Sequence, residues 1–252
     1  MNLVTSSFFL LTSLFHLCLG NNLKITNGKE AIPHSLPYQA FISVTGEQGN
    51  YICGGSIVSN QYILSSATCL NGTYVAFVIV GAHNISAYEP TQQRLSSSKV
   101  IVHPKYHSIT LDNDAALIEL PFSIEFDEYV QPIKLAKDSD VSYDGEICKL
   151  AGWGTEDPSN PKASPVLRYM QSQILDIEKC KQWDEDFNDD KICVSGEGHK
   201  SFCFGDFGSP LTVDDEQVGI TSFTTVGLCG EGVQGFTRIS SVINWIELYV
   251  GV

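Results

Sequence analysis

Basic residues are scarce in this chain: 15 Lys and Arg stand against 29 Asp and Glu in 252 residues, a formal net charge of −14. That deficit argues against nucleic acid, heparin-like polyanions and anionic membranes as partners. Charge of either sign is missing from Met1 to Gly20. Phe8 to Leu19 is largely apolar and the stretch closes on the small residues Cys18 and Gly20, the pattern of a secretory signal peptide cut after Gly20. Its n-region has no Lys or Arg and relies on the initiator amine. Ser13 and His16 interrupt the run, which is too short for a membrane span, and no later stretch approaches ~18 uninterrupted apolar residues. The mature chain is therefore expected to be soluble and extracellular, with no membrane partner. Pro/Gly/Ser-rich linkers and internal repeats are absent too, so the 232 residues after Gly20 fit one large all-β domain as well as two small ones.

What is present starts with acid and cysteine. The densest acidic run, Asp184-Glu185-Asp186-Phe187-Asn188-Asp189-Asp190, has no EF-hand spacing and reads as a solvated loop, not a calcium site. His103 and His107 are four apart, but Pro104 prevents a regular helix there, so they form no zinc pair. No metal or other cofactor is expected. Seven cysteines follow Cys18, which in a secreted chain implies three bridges and one thiol left over, with the pairing open. Asn71-Gly72-Thr73 and Asn84-Ile85-Ser86 are sequons, expected to be glycosylated at surface turns.

Short β-rich segments recur at residues 74–80, 100–102, 115–120, around 174–175 and at 218–223, separated by Gly, Asn, Asp and Pro clusters. With no long helical pattern between them, the spacing predicts an antiparallel all-β barrel or sandwich. The exception is the end of the chain, where Val242, Trp245, Ile246 and Tyr249 repeat at helical spacing after Ser241, an expected N-cap.

Two stretches carry more than pattern. Gly205-Asp206-Phe207-Gly208-Ser209-Pro210 resembles the GDSGGP signature of trypsin- and chymotrypsin-like serine proteases, with Phe207 where the nucleophilic serine belongs. Leu64-Ser65-Ser66-Ala67-Thr68-Cys69 resembles that family's LTAAHC segment, with Thr68 in place of the general-base histidine. Lys24-Ile25-Thr26-Asn27-Gly28, Cys53-Gly54-Gly55-Ser56, His103-Pro104, Asp112-Asn113-Asp114-Ala115-Ala116-Leu117, Gly152-Trp153-Gly154 and Gly235-Phe236-Thr237-Arg238 match further blocks, in the family's order. The resemblance implies two six-stranded antiparallel Greek-key β-barrels with a cleft between them and a C-terminal helix. It divides the chain into a signal peptide at 1–20, a propeptide at 21–24 and an inactive peptidase-like domain at 25–252.

Acyl transfer in this family needs a hydroxyl activated by imidazole, an aspartate that orients the imidazole, and amides that stabilise the oxyanion. The resemblance assigns Asp114 as the surviving aspartate, left to accept hydrogen bonds from Thr68 or Ser222. It places the oxyanion-hole amides at Gly205 and Phe207. Ser201 would floor the specificity pocket beside Phe202 and Ser222, with Thr224 and Gln234 where glycines line the walls, so that the slot is narrowed or filled. Lys24-Ile25 resembles a tryptic activation site whose new Ile25 amine would pair with Asp206. The implied disulfides are Cys53 with Cys69, Cys180 with Cys193 and Cys203 with Cys229, leaving Cys148 as the orphan. His103 sits in the family's His-Pro turn and His34, His83 and His199 map to surface segments, so each reads as a solvated side chain instead of a relocated base.

These losses point to a secreted, non-catalytic protease homolog that acts by binding a protein of a proteolytic cascade, a protease inhibitor or a substrate. Phe207, Phe202 and Phe223 are expected to form the apolar contact patch. The compact domain without regulatory modules resembles digestive and salivary proteases of arthropods. The alternatives are a serine-type endopeptidase with residual or non-triad hydrolysis, and a structural or storage protein.

Overall fold

In a strand successive side chains point to opposite faces, and the described residues form fifteen strands. The computed structural model describes residues 28–155, 161–185, 187–196, 201–225, 229 and 232–251. The expected signal peptide, Lys24, Ile25 and His199 lie outside the described residues.

The first barrel is built from β2 (Gln39–Gly46), β3 (Gly49–Ile57), β4 (Tyr62–Ser65), β5 (Thr73–Val80), β6 (Gln93–Ser97), β7 (Val100–Val102) and β8 (Ala116–Glu119). They pair antiparallel in the order β6-β5-β2-β3-β4-β8-β7. Strands β6 and β7 stand at opposite ends of that order yet are joined by two residues, so the chain itself draws the edges together. Counted as one bent strand they make the barrel six-stranded. Its interior is aliphatic, with Ile42, Ile57, Ile63, Val78, Val80 and Ile118 fully buried.

The second barrel comprises β10 (Ile147–Gly152), β11 (Arg168–Gln173), β12 (Lys191–Ser195), β13 (Pro210–Val213), β14 (Glu216–Thr224) and β15 (Val233–Arg238). Their order is β11-β10-β13-β14-β15-β12, and an antiparallel bridge between Ile174 and Val194 joins the two ends. Two-residue strands flank it: β1 (Lys29–Glu30) on β11, and β9 (Lys134–Leu135) parallel to β14. The predicted strand near 174–175 is thus the end of β11 and this single bridge.

The short helix α1 (Ala67–Leu70) is capped by Ser66, whose hydroxyl accepts the Cys69 amide, and α2 (Ile177–Lys181) is capped by Asp176. The final helix α3 (Ile239–Val250) buries Val242, Trp245 and Ile246 as its spacing predicts. It starts earlier than expected: Arg238 is the N-cap residue, and the Ser241 hydroxyl sits inside the first turn, donating to the Arg238 carbonyl at 2.8 Å.

The three disulfides join Cys53–Cys69, Cys180–Cys193 and Cys203–Cys229. Cys148 is free and buried, and burial pushes its thiol up to about 12. Two histidines expected to be solvated are buried. His83 sits against Glu30 at 3.1 Å, and His103 packs edge-on to Trp245 with ring centroids 4.9 Å apart. Asn71 is exposed after α1, while Asn84 is half-buried with its side-chain oxygen accepting the Ser86 amide at 2.9 Å.

Candidate functional site

The two distinctive segments meet between the barrels because small residues let their backbones touch. A Cβ on Gly208 would overlap the Ser65 hydroxyl and the Gly54 carbonyl, and one on Gly54 would overlap Ser209. Gly208 also has φ of 82° and Gly205 of 98°, left-handed values that favour glycine. The turn is anchored by Gly54 donating to the Phe207 carbonyl at 2.8 Å and Gly208 donating to the Thr221 carbonyl at 2.9 Å. Ser209, fully buried, points away from the cleft and accepts from the Gln39 side chain at 3.3 Å.

Asp114 is completely buried. Its carboxylate accepts the Thr68 amide at 2.7 Å, the Thr68 hydroxyl at 2.9 Å and the Ser222 hydroxyl at 2.5 Å. Burial raises its pKa, and these donors, Ser222 foremost, oppose the rise. Thr68 Oγ1 also lies 3.1 Å from the Tyr106 hydroxyl, whose pKa burial raises in turn. Both expected donors to Asp114 are thus in place, joined by a backbone amide that sequence reasoning did not single out.

Phe207 and Thr68 line one cleft of about 530 Å³, walled by Tyr51, Ile52, Phe204 and Ala163. The Phe207 ring is half-buried and meets Phe202 edge-on at 5.4 Å. Gly205 and Phe207 both line this cleft, and neither amide donates a hydrogen bond among the described residues. The described histidines take no part. His34 meets Tyr129 edge-on, His107 bonds Thr110, and His83 and His103 are placed as above.

The expected three-phenylalanine patch is not what the side chains form. Phe202 is wholly buried against Phe207 and Phe236 and belongs to the second barrel's core. Its amide donates to the Gln234 side chain at 3.0 Å, which fixes a buried Gln234 beside a buried Ser201. Phe223 covers Gly235, leans on Phe187 at 5.3 Å and lies under Lys191 at 5.8 Å. Thr224 follows it, half-buried and paired with Gln234 across β14 and β15. Of the three rings, Phe207 alone lines the cleft, where Phe204, 39% exposed, joins it.

Lys191, which sequence reasoning missed, is almost buried yet charged. Its Nζ reaches Asp112 at 3.0 Å and the Thr110 carbonyl at 2.9 Å, tying β12 of the second barrel to the loop before Asp114 in the first. Among the described residues, no group of three or more His, Cys, Asp or Glu side chains is arranged to hold a metal.

Asp206 is the second buried carboxylate. It accepts the Gly154 amide at 2.8 Å and the Cys203 amide at 3.0 Å, and burial pushes it up to about 6 against those bonds. No cationic side chain reaches it among the described residues.

Two curled antiparallel barrels with a cleft between them and a closing helix define the chymotrypsin-type serine protease fold. Residues 25–246 match the family model described as Trypsin. The chain is 34% identical to brachyurin of Leptuca pugilator, over 90% of this chain and 99% of that protein, and 31% identical to a chymotrypsin of Phaedon cochleariae, over 90% and 83%. The solved structure of HL collagenase superimposes with a TM-score of 0.82 at 28% identity, covering 90% of this chain and 98% of that one. The chain belongs to the trypsin family.

Proposed function

We propose that this trypsin-family chain is a non-catalytic homolog that acts by binding, with Thr68, Asp114 and Phe207 as its degenerate triad. The observation that carries the proposal is the Asp114 carboxylate: it is occupied by a threonine hydroxyl and amide, while a phenyl ring lines the cleft at position 207. A phenyl ring has no nucleophilic oxygen, and a carboxylate is too weak a base to activate Thr68. In comparable machinery the loss of serine or histidine alone costs about a millionfold, and the second loss adds little.

The buried Phe202–Gln234 contact supports a specificity slot that is filled instead of open. The unused amides of Gly205 and Phe207 support a retained oxyanion cradle, able to hold a carbonyl without cleaving it. The partner class we favour is a protein that trypsin-like proteases meet, a substrate or an inhibitor, engaged outside the cell after loss of the 1–20 leader. Three disulfides fit that compartment. The second reading, residual hydrolysis, draws support from the protease names of the relatives.

A fluorophosphonate probe and a peptide substrate library separate the two. No labelling and no turnover, before or after trypsin treatment, is the expected result; turnover that co-purifies with the chain and is lost on cleft substitution would establish the enzyme. Phe207→Ser is expected to weaken by about tenfold the binding of a protein captured from secretions, with little change in melting temperature.

A further inference from the structure

A second cavity, of about 360 Å³, lies away from the cleft and shares no residue with it. It forms where the connector after the first barrel crosses to the second and α3 closes over both. Its floor is aliphatic: Val58, Ile133, Leu135, Ile243 and Ile246. Each of these residues is at least nine-tenths buried, so the little surface they retain is gathered here. Strand β9 is held to β14 by parallel pairing, and Ile133 donates to the Ile57 carbonyl at 2.9 Å, so the floor is part of the framework.

The rim is charged, and its charges are sorted. Lys134 is taken by Glu216 at 2.9 Å and Lys137 by Glu247 at 2.7 Å. Asp138 remains. Its one hydrogen bond among the described residues comes from the Asp140 amide at 2.8 Å, and no lysine reaches it. The rim therefore presents one uncommitted carboxylate beside an apolar floor, on a chain of net charge −14.

We propose that this cavity is a binding site for a small organic cation: a hydrocarbon or aromatic body on the aliphatic floor and a protonated amine at Asp138. The volume equals that of about a dozen waters, which limits the body to roughly that many heavy atoms. A carboxylate-headed ligand would have to draw a lysine from its glutamate and face Asp138, whereas an ammonium adds a missing partner. The apolar floor supplies affinity, and the single carboxylate fixes orientation.

The test titrates the secreted full-length protein with phenylbutylamine, phenylbutyrate and phenylbutanol by calorimetry and ligand-observed NMR. The amine is expected to bind at least about tenfold tighter than the acid or the alcohol. Asp138→Asn, an exposed substitution with little reason to unfold the chain, is expected to remove that preference. Val58→Phe, which fills the floor, is expected to abolish binding, and Phe207→Ser in the cleft to leave it unchanged. Equal or tighter binding of the acid, no binding of the amine, an unchanged preference in Asp138→Asn, or loss of binding in Phe207→Ser would each overturn the proposal. Where Val58→Phe melts well below the parent, Asp138→Asn decides alone.

Discussion

Asp114 is costly to bury and is retained in full burial with three donors around it, two of them supplied by Thr68. Thr68→Ala removes the hydroxyl but keeps the amide bond, and is expected to cost about 1–2 kcal/mol of stability, read by chemical denaturation. Restoration follows a different logic. Phe207→Ser alone supplies a hydroxyl without a base, and Thr68→His alone a base without a nucleophile, so neither is expected to raise hydrolysis above background. The two together are expected to give weak turnover of small esters. Turnover in either single variant equal to that of the pair would reject the triad assignment.

At the scale of elements, the Lys191 contact with Asp112 and Thr110 links strand β12 to the loop before Asp114. Its partners differ in exposure: the lysine side chain is 5% exposed and the aspartate 41%. Asp112→Ala leaves a buried ammonium with one carbonyl, and is expected to cost about 2–3 kcal/mol after discounting for solvent around the aspartate. Lys191→Met puts an apolar chain in place of the cation over Phe223 and leaves only a half-exposed carboxylate, so it is expected to cost under about 1 kcal/mol. Equal losses in the two melts would show that the pair is not held as described. This link could not be read from the sequence, because Lys191 and Asp112 are 79 positions apart and each is unremarkable alone. The same reason hid the burial of His103, whose partner Trp245 comes from the last helix. What could be read was local or motif-borne: the strands at 74–80 and 100–102, the face of α3, and, from the family resemblance, the three disulfide pairs. Phe202 was misplaced because a hydrophobic residue beside a cleft and one in the core look alike until the opposing strand, here carrying Phe236, is known.

For the molecule as a whole, the second buried carboxylate contributes to the response to pH. Asp206 has only amide donors among the described residues, and burial carries it from 3.8 to about 6. The native state thus holds this proton to higher pH than the unfolded chain does, so its contribution falls as pH rises from about 4 through about 6 and is level above. At ~1.4 kcal/mol per pH unit the loss amounts to about 3 kcal/mol. We propose that cutting after Lys24 reverses the slope. An Ile25 amine brought to Asp206 would favour the ionised carboxylate and pull its pKa below the ordinary value, so that stability would rise with pH across the acid range. The experiment compares denaturation of uncut and trypsin-treated protein between pH 4 and 7, as a range spanning about one unit beyond the titration, with N-terminal sequencing to verify Ile25. Asp206→Asn is the control and is expected to remove the difference in slope between the two forms, since Asp114 titrates alike in both. Opposite slopes would support a retained activation switch; the same slope in both forms, at full cleavage, would mean that the new amine never reaches Asp206 and that there is no such switch.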